Sequence, residues 1–202
     1  LNQLGLKNKK QTMGPSVKVD DEQDEPNEVN NVPHWKTQRH ESWGERLIVP
    51  EWEEEGNHKT TTDYRRSNGW SGTDLIHSQN SPVRVTEYYA KYMNNDNSNN
   101  SYIGTTLTGI VEFSSLAESH RGYCHGGSVC SVFDDVIGWC GFLATGRCIP
   151  WSGFTAQINT ALKKPIKVNS VLLVQARIVR RERRKVSIEA VLIDPSEEGC
   201  DV

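Results

Sequence analysis

Apolar positions are sparse and aperiodic over the first 83 residues of this chain and fall into periodic runs from residue 84 onward. The block Asp20-Asp21-Glu22-Gln23-Asp24-Glu25-Pro26 has almost nothing to bury, so residues 1–33 are expected to be disordered. Between residues 34 and 70 the sequence is polar but carries Trp35, Trp43, Trp52 and Trp70. Isolated tryptophans of this kind either anchor a long arm on a domain or a partner, or pack locally around residues 51–55. A strand or short helix is expected at residues 83–92, followed by a flexible Asn-rich loop at 94–100 and a strand at 102–113. From Gly126 to about Thr145, apolar side chains recur at spacings of three and four: Val129, Val132, Phe133, Val136, Ile137, Cys140, Phe142 and Leu143. That pattern predicts one helix buried on most of its surface. Strands follow at 154–162, 171–179 and 186–193, with the Arg-rich residues 180–185 joining the last two as a hairpin. This order of elements gives an α+β class, an antiparallel sheet wrapped around a long central helix. It divides the chain into an arm, residues 1–83, and a domain, residues 84–202.

Composition sharpens that division. Hydrophobic residues make up only 35% of the chain, and the deficit lies in the arm, so a single core from about residue 84 is expected. A net charge of -3 argues against a generic nucleic-acid binder. Locally the balance reverses, with nine Lys or Arg between Ala161 and Lys185 against one acid, Glu182. Such a run is either a solvated hairpin or a place for phosphates. Five cysteines without CxxC spacing read as reduced thiols of an intracellular protein, and six scattered histidines give no metal site. The sequence has no run of 18 apolar residues, so no membrane span is expected. Residues 1–11 carry lysines but no arginine, a poor transit peptide, which leaves the compartment open between mitochondrion and cytoplasm. The chain begins with Leu1, so a start upstream of it is expected.

The stretch His125-Gly126-Gly127-Ser128-Val129-Cys130-Ser131-Val132-Phe133-Asp134 carries the candidate chemistry. A helix entered through glycines leaves its first N–H groups without partners and open to a ligand oxygen, the makings of an oxyanion hole. Asp134, eight residues after Gly126, lies about 12 Å along the helix and about 80° around it. One small carbonyl cannot touch both. A twofold dimer removes the difficulty by setting the glycine of one subunit beside the aspartate of the other. Asp135 is the nearest rival acid and points about 100° away. His125 can act as a base or hold the glycine conformation, and the second role is favoured. Cys124 and Cys130 have no paired base and read as packing residues.

These residues resemble a family. Gly122-Tyr123-Cys124-His125-Gly126-Gly127, with Asp134 nine residues after the histidine, is similar to the G-aromatic-x-H-G-G motif of the hotdog-fold acyl-CoA thioesterases. Residues 155–166, Thr-Ala-Gln-Ile-Asn-Thr-Ala-Leu-Lys-Lys-Pro-Ile, look like the T-A-x-L-N-x-x-Y-K-R-P-I strand of the mitochondrial members, and Glu182-Arg183-Arg184-Lys185 resembles their E-G-R-K turn. The likeness covers roughly residues 84–194. It implies that Gly126 offers its N–H to the thioester oxygen, that Asp134 acts as general base or nucleophile, and that Thr155 positions the attacking water. It places His125 in the catalytic set and Gly127, Asn159, Lys163, Arg184 and Lys185 in the substrate-binding set, with Ser119 where some relatives orient water through Asn. Ala161 replaces a ligand-contacting Asn of the family. Relatives also add a strand after the hairpin, whereas this sequence ends in residues 194–202, so the sheet is expected to lack its last strand and to leave an edge unpaired.

The implied activity is hydrolysis of fatty acyl-CoA to fatty acid and CoA by a homodimer or dimer of dimers. No cofactor is expected, because coenzyme A is part of the substrate, and no metal. Two rival functions remain at this level: a noncatalytic acyl-CoA-binding or interaction protein on the same fold, and hydration of an enoyl-CoA, whose Asp-His dyad is not recognisable in the sequence. The link at residues 147–153 is longer than in relatives, and Trp151 in it is expected to shorten or lid the acyl pocket.

Overall fold

The computed structural model describes residues 41–47, 66–67, 69–72, 75–77, 80–93 and 102–196. The acidic block at 20–26, the Asn-rich run at 94–100, Trp35 and Trp52 lie outside them. Contacts divide the chain into two units, Leu1–Pro33 and His34–Val202, and all that follows concerns the second.

Seven strands and one long helix are defined among the described residues: β1 (Glu45–Arg46), β2 (Val83–Lys91), β3 (Thr106–Phe113), β4 (Glu118–His120), β5 (Tyr123–Cys124), α1 (Gly126–Phe142), β6 (Ser170–Glu182) and β7 (Lys185–Ile193). An antiparallel five-stranded sheet in the order β1-β2-β3-β6-β7 packs one face on α1, while β4 and β5 form a small hairpin before the helix. The expected strands at 102–113, 171–179 and 186–193 and the helix after Gly126 therefore form, with the antiparallel α+β arrangement, and residues 83–92, expected as a strand or a short helix, supply a strand.

Alternation explains which face each strand buries. Tyr88, Leu107, Val111, Val174, Ala176 and Ile178 meet Val129, Val132, Val136, Cys140 and Leu143 in the core between sheet and helix. Gly109 makes room there, since a Cβ on it would lie 2.6 Å from Tyr88 Cε1. Tyr89, Ile110 and Leu173 point to the opposite face, where Trp43 covers them at 3% exposure and meets the Tyr89 ring edge-on at 5.5 Å. Gly44, at φ +95°, lets that segment approach β2, because a Cβ would come within 2.2 Å of the Ala90 oxygen. Trp43 is thus an anchor of the kind expected for the polar region, as is Trp70, whose ring lies 5.2 Å from that of Trp151.

One element differs from expectation. Residues 154–162 form no strand, and no backbone hydrogen bond ties residues 153–163 to another segment among the described residues. A strand is defined by a neighbour that takes its N–H and C=O groups, which local sequence cannot supply. The edge of β7 away from β6 likewise has no neighbour among the described residues. Phe154, Ile158 and Leu162 consequently present an apolar stripe at 100%, 40% and 54% exposure.

Candidate functional site

The helix entrance is held from several directions. Cys124 N–H donates to the Ile166 oxygen at 2.9 Å, His125 N–H to the Ala117 oxygen at 2.7 Å, and Val168 N–H to the Gly122 oxygen at 3.1 Å. Gly122 takes φ +82° and donates its N–H to the Glu118 carboxylate at 2.6 Å, which closes the β4–β5 turn. His125 is the helix N-cap, its extended backbone leading into α1 while its Nδ1 accepts the Gly127 N–H at 2.8 Å. That bond satisfies one of the helix's first donors and leaves the ring proton on Nε2. Ser128 Oγ donates to the His125 oxygen at 2.7 Å, and Ser131 Oγ to the Gly127 oxygen at 3.0 Å.

The two glycines therefore differ. Gly127 spends its N–H on His125, whereas the Gly126 N–H has no acceptor among the described residues. The approach to Gly126 is close: a Cβ there would lie 2.7 Å from Leu162 Cδ1. The geometry gives one free helix-end N–H, aided by the positive end of the helix dipole.

The two adjacent aspartates also differ. Asp134 is exposed and forms no hydrogen bond or ion pair among the described residues. Asp135 accepts from Tyr88 OH at 2.7 Å and lies 3.3 Å from His77 Nε2. Their side chains are 18% exposed for Asp135 and 7% for His77. His77 and Tyr88 are 58 and 47 residues upstream of Asp135, so no spacing rule could have paired them. The cluster of tyrosines at 88, 89 and 92 was the one hint.

Helical periodicity assigns these residues to two flanks of α1. Asp135, Trp139 and Phe142 share one, covered by His77 and by Trp151, whose ring lies 5.9 Å from Trp139 and 6.0 Å from Phe142. Trp151 takes φ +62°, a costly backbone for a bulky side chain. Gly127, Cys130, Asp134, Gly138 and Gly141 form the other flank, turned toward β7, where Ile188 Cδ1 would lie 3.6 Å from a Cβ on Gly141. Trp151 thus packs on the flank that does not carry Asp134.

The remaining candidates are dispersed. Thr155, Asn159 and Lys163 lie on the exposed segment between α1 and β6, with Gln157 Nε2 donating to Asn159 Oδ1 at 3.3 Å. Through Leu162 that segment passes Gly126, which puts Lys163 near the start of α1. Arg184 and Lys185 are at the opposite end, on a hairpin tied to the end of the helix by Arg181 Nη1 donating to the Ala144 oxygen at 3.0 Å. Since α1 has 17 residues, these two groups of cations are separated by about 25 Å along it. One chain brings together His125, Gly126 and Gly127, but sets neither Asp134 nor the hairpin cations beside them.

The thiols fit packing roles. Burial raises the Cys124 thiol, and pushes that of the fully buried Cys140 up to about 12. Both stay protonated near neutrality, when a nucleophile would need to be thiolate. No group of three metal-ligating side chains occurs among the described residues, and no helix there is long and apolar enough to cross a membrane.

Among solved structures, thioesterase superfamily member 2 of zebra fish is similar at a TM-score of 0.40 and 15% identity, over 63% of this chain and 88% of that one. The family model described as thioesterase superfamily matches residues 121–200, which hold the helix entrance, α1 and the β6–β7 hairpin. Residues 121–200 are thus similar to the thioesterase superfamily, and the antiparallel sheet with a single long helix that the chain forms is the hotdog fold.

Proposed function

We propose that this protein hydrolyses acyl-CoA thioesters as a homodimer whose sites lie between subunits. The observation that carries the reading is the pairing of a free Gly126 N–H with an exposed, partnerless Asp134 on the same small-residue side of α1, too far apart to act together within one chain. Gly127, Cys130, Gly138 and Gly141 on that side allow a second helix to approach closely.

In this reading the Gly126 N–H of one subunit holds the thioester oxygen and gains strength as charge builds on it. Asp134 of the other subunit takes a proton from water, the oxygen of that water adds to the carbonyl carbon, and the tetrahedral adduct collapses by breaking the carbon–sulfur bond. The proton held by Asp134 returns to the departing thiolate, so the products are a carboxylic acid and CoA. Direct attack by the Asp134 carboxylate is the other route, and its mixed anhydride would be detectable by isotopic oxygen entering Asp134. His125 holds the entrance, Thr155 orients water, and Gly127 and Asn159 line the substrate.

A twofold axis that sets Gly126 against Asp134 brings the β6–β7 hairpin of the aspartate subunit beyond the start of the partner's helix by about 15 Å. Arg184 and Lys185 of that subunit would then meet the CoA phosphates, with Lys163 contributed by the glycine subunit. The enoyl-CoA hydration reading finds a His-Asp pair in His77 and Asp135, but on the covered flank and at 7% and 18% side-chain exposure.

The test is release of CoA thiol from short-, medium- and long-chain acyl-CoAs by the full chain and by Asp134→Asn. Turnover that the substitution abolishes is the expected result. A folded dimer that binds acyl-CoA without turnover would instead favour the noncatalytic binding protein.

A further inference from the structure

The β6–β7 hairpin turns through two residues, Arg183 and Arg184, between the paired Glu182 and Lys185. Of the two, only Arg183 takes a positive φ, +50°. Two-residue hairpin turns with a single positive φ take glycine at this first position, because a Cβ crowds the backbone there. An arginine at that place costs stability that glycine would not.

Nothing among the described residues repays this cost. Arg180 pairs with the Glu182 carboxylate at 3.3 Å, and Arg181 donates to the Ala144 oxygen, so those two are employed by the protein itself. Arg183, Arg184 and Lys185 are exposed and have neither acid partner nor acceptor among the described residues. The hairpin thus ends in three consecutive free cations on a turn fixed by β-pairing on both sides. Backbone strain kept at a position whose side chain has no internal role marks a side chain used by a ligand. Guanidinium groups on adjacent turn residues suit a ligand with clustered phosphate oxygens, since each can present a planar pair of N–H donors.

We infer that Arg183 is a phosphate-binding residue for the nucleotide end of the thioester substrate, held in a strained turn so that its guanidinium stands beside those of Arg184 and the Lys185 ammonium. The inference rests on the acyl-CoA reading and adds to it a contact that the Gly of the resembling turn cannot make. Binding energy gained at this remote end orients the thioester at Gly126 without touching the reacting atoms.

The experiment compares the full chain with Arg183→Gly and Arg183→Asn, both of which tolerate positive φ, and with Arg180→Ala as a control. Binding of free CoA and of dephospho-CoA is measured by calorimetry, alongside thermal unfolding. Arg183→Gly and Arg183→Asn are expected to weaken CoA binding about tenfold while Tm holds or rises by about 2–4 °C, with Arg180→Ala near wild type. If the loss vanishes with dephospho-CoA the partner is the 3′-phosphate, and if it persists the partner is the pyrophosphate. CoA affinity unchanged in both Arg183 variants would overturn the inference. Failure of the acyl-CoA reading is seen separately, as an unsubstituted chain that releases no thiol from any acyl-CoA.

Discussion

The two flanks of α1 carry neighbouring aspartates with opposite circumstances. On one, Asp135 accepts a hydrogen bond from Tyr88 and lies 3.3 Å from His77, on the flank that also carries Trp139 and Phe142 under Trp151. On the other, Asp134 stands exposed among Gly127, Cys130, Gly138 and Gly141 with no bond to any other of the described residues. Burying an acid is costly unless it is hydrogen-bonded, and the covered flank meets that condition. The open flank keeps an acid that bonds to nothing else among the described residues. The difference separates a carboxylate that serves the fold from one that does not, and in the proposed function it is a second copy of the chain that completes the site.

The comparison breaks most visibly at Asp134. Asp134→Asn is expected to lower kcat by about 10²–10⁴-fold, as for loss of a general base, while unfolding free energy stays within about 0.5 kcal/mol because the side chain is exposed and unbonded. A variant that unfolds more easily would show Asp134 to be structural. Next comes Gly126→Pro, which deletes one N–H at the first helical position, where proline is tolerated. The extended backbone of His125, φ −66° and ψ 134°, suits a following proline, and only the exposed Leu162 side chain has to turn aside. We expect kcat to fall by about 10²–10³-fold with far-ultraviolet circular dichroism unchanged. Activity near wild type would remove the oxyanion role.

Asp135→Ala reverses the pattern. Deprived of that acceptor, the buried Tyr88 hydroxyl and His77 lose a partner, and chemical denaturation should show a loss of about 1–3 kcal/mol. Activity per folded molecule should fall far less than in Asp134→Asn. Equal losses of activity in the two variants would mean that the flanks are not distinct.

Much of this was legible in the sequence because it depends on local pattern. Spacings of three and four mark α1, alternation marks β2, β3, β6 and β7, and His125-Gly126-Gly127 marks a helix start whose cap is now seen as the histidine ring. Trp43 and Trp70 stood out as isolated aromatics in polar sequence, either anchors or locally packed, and which surface each covers depends on residues far along the chain. What could not be read is nonlocal. Residues 154–162 have the composition of a strand but no neighbour to pair with, and the Tyr88–Asp135–His77 cluster joins three segments that no spacing connects. The strain at Arg183 needs backbone angles; the sequence shows only that arginine stands where the resembling turn has glycine.

The central claim is that one site takes Gly126 from one subunit and Asp134 from the other. It is tested by coexpressing Asp134→Asn and Gly126→Pro chains with different tags and purifying the mixed dimer. Each parent is nearly inactive, but the mixed dimer holds one intact pair of two, so thiol release should recover to about half of the wild-type rate per dimer. A mixed dimer no more active than its parents would place both residues in a single chain's site and contradict the account.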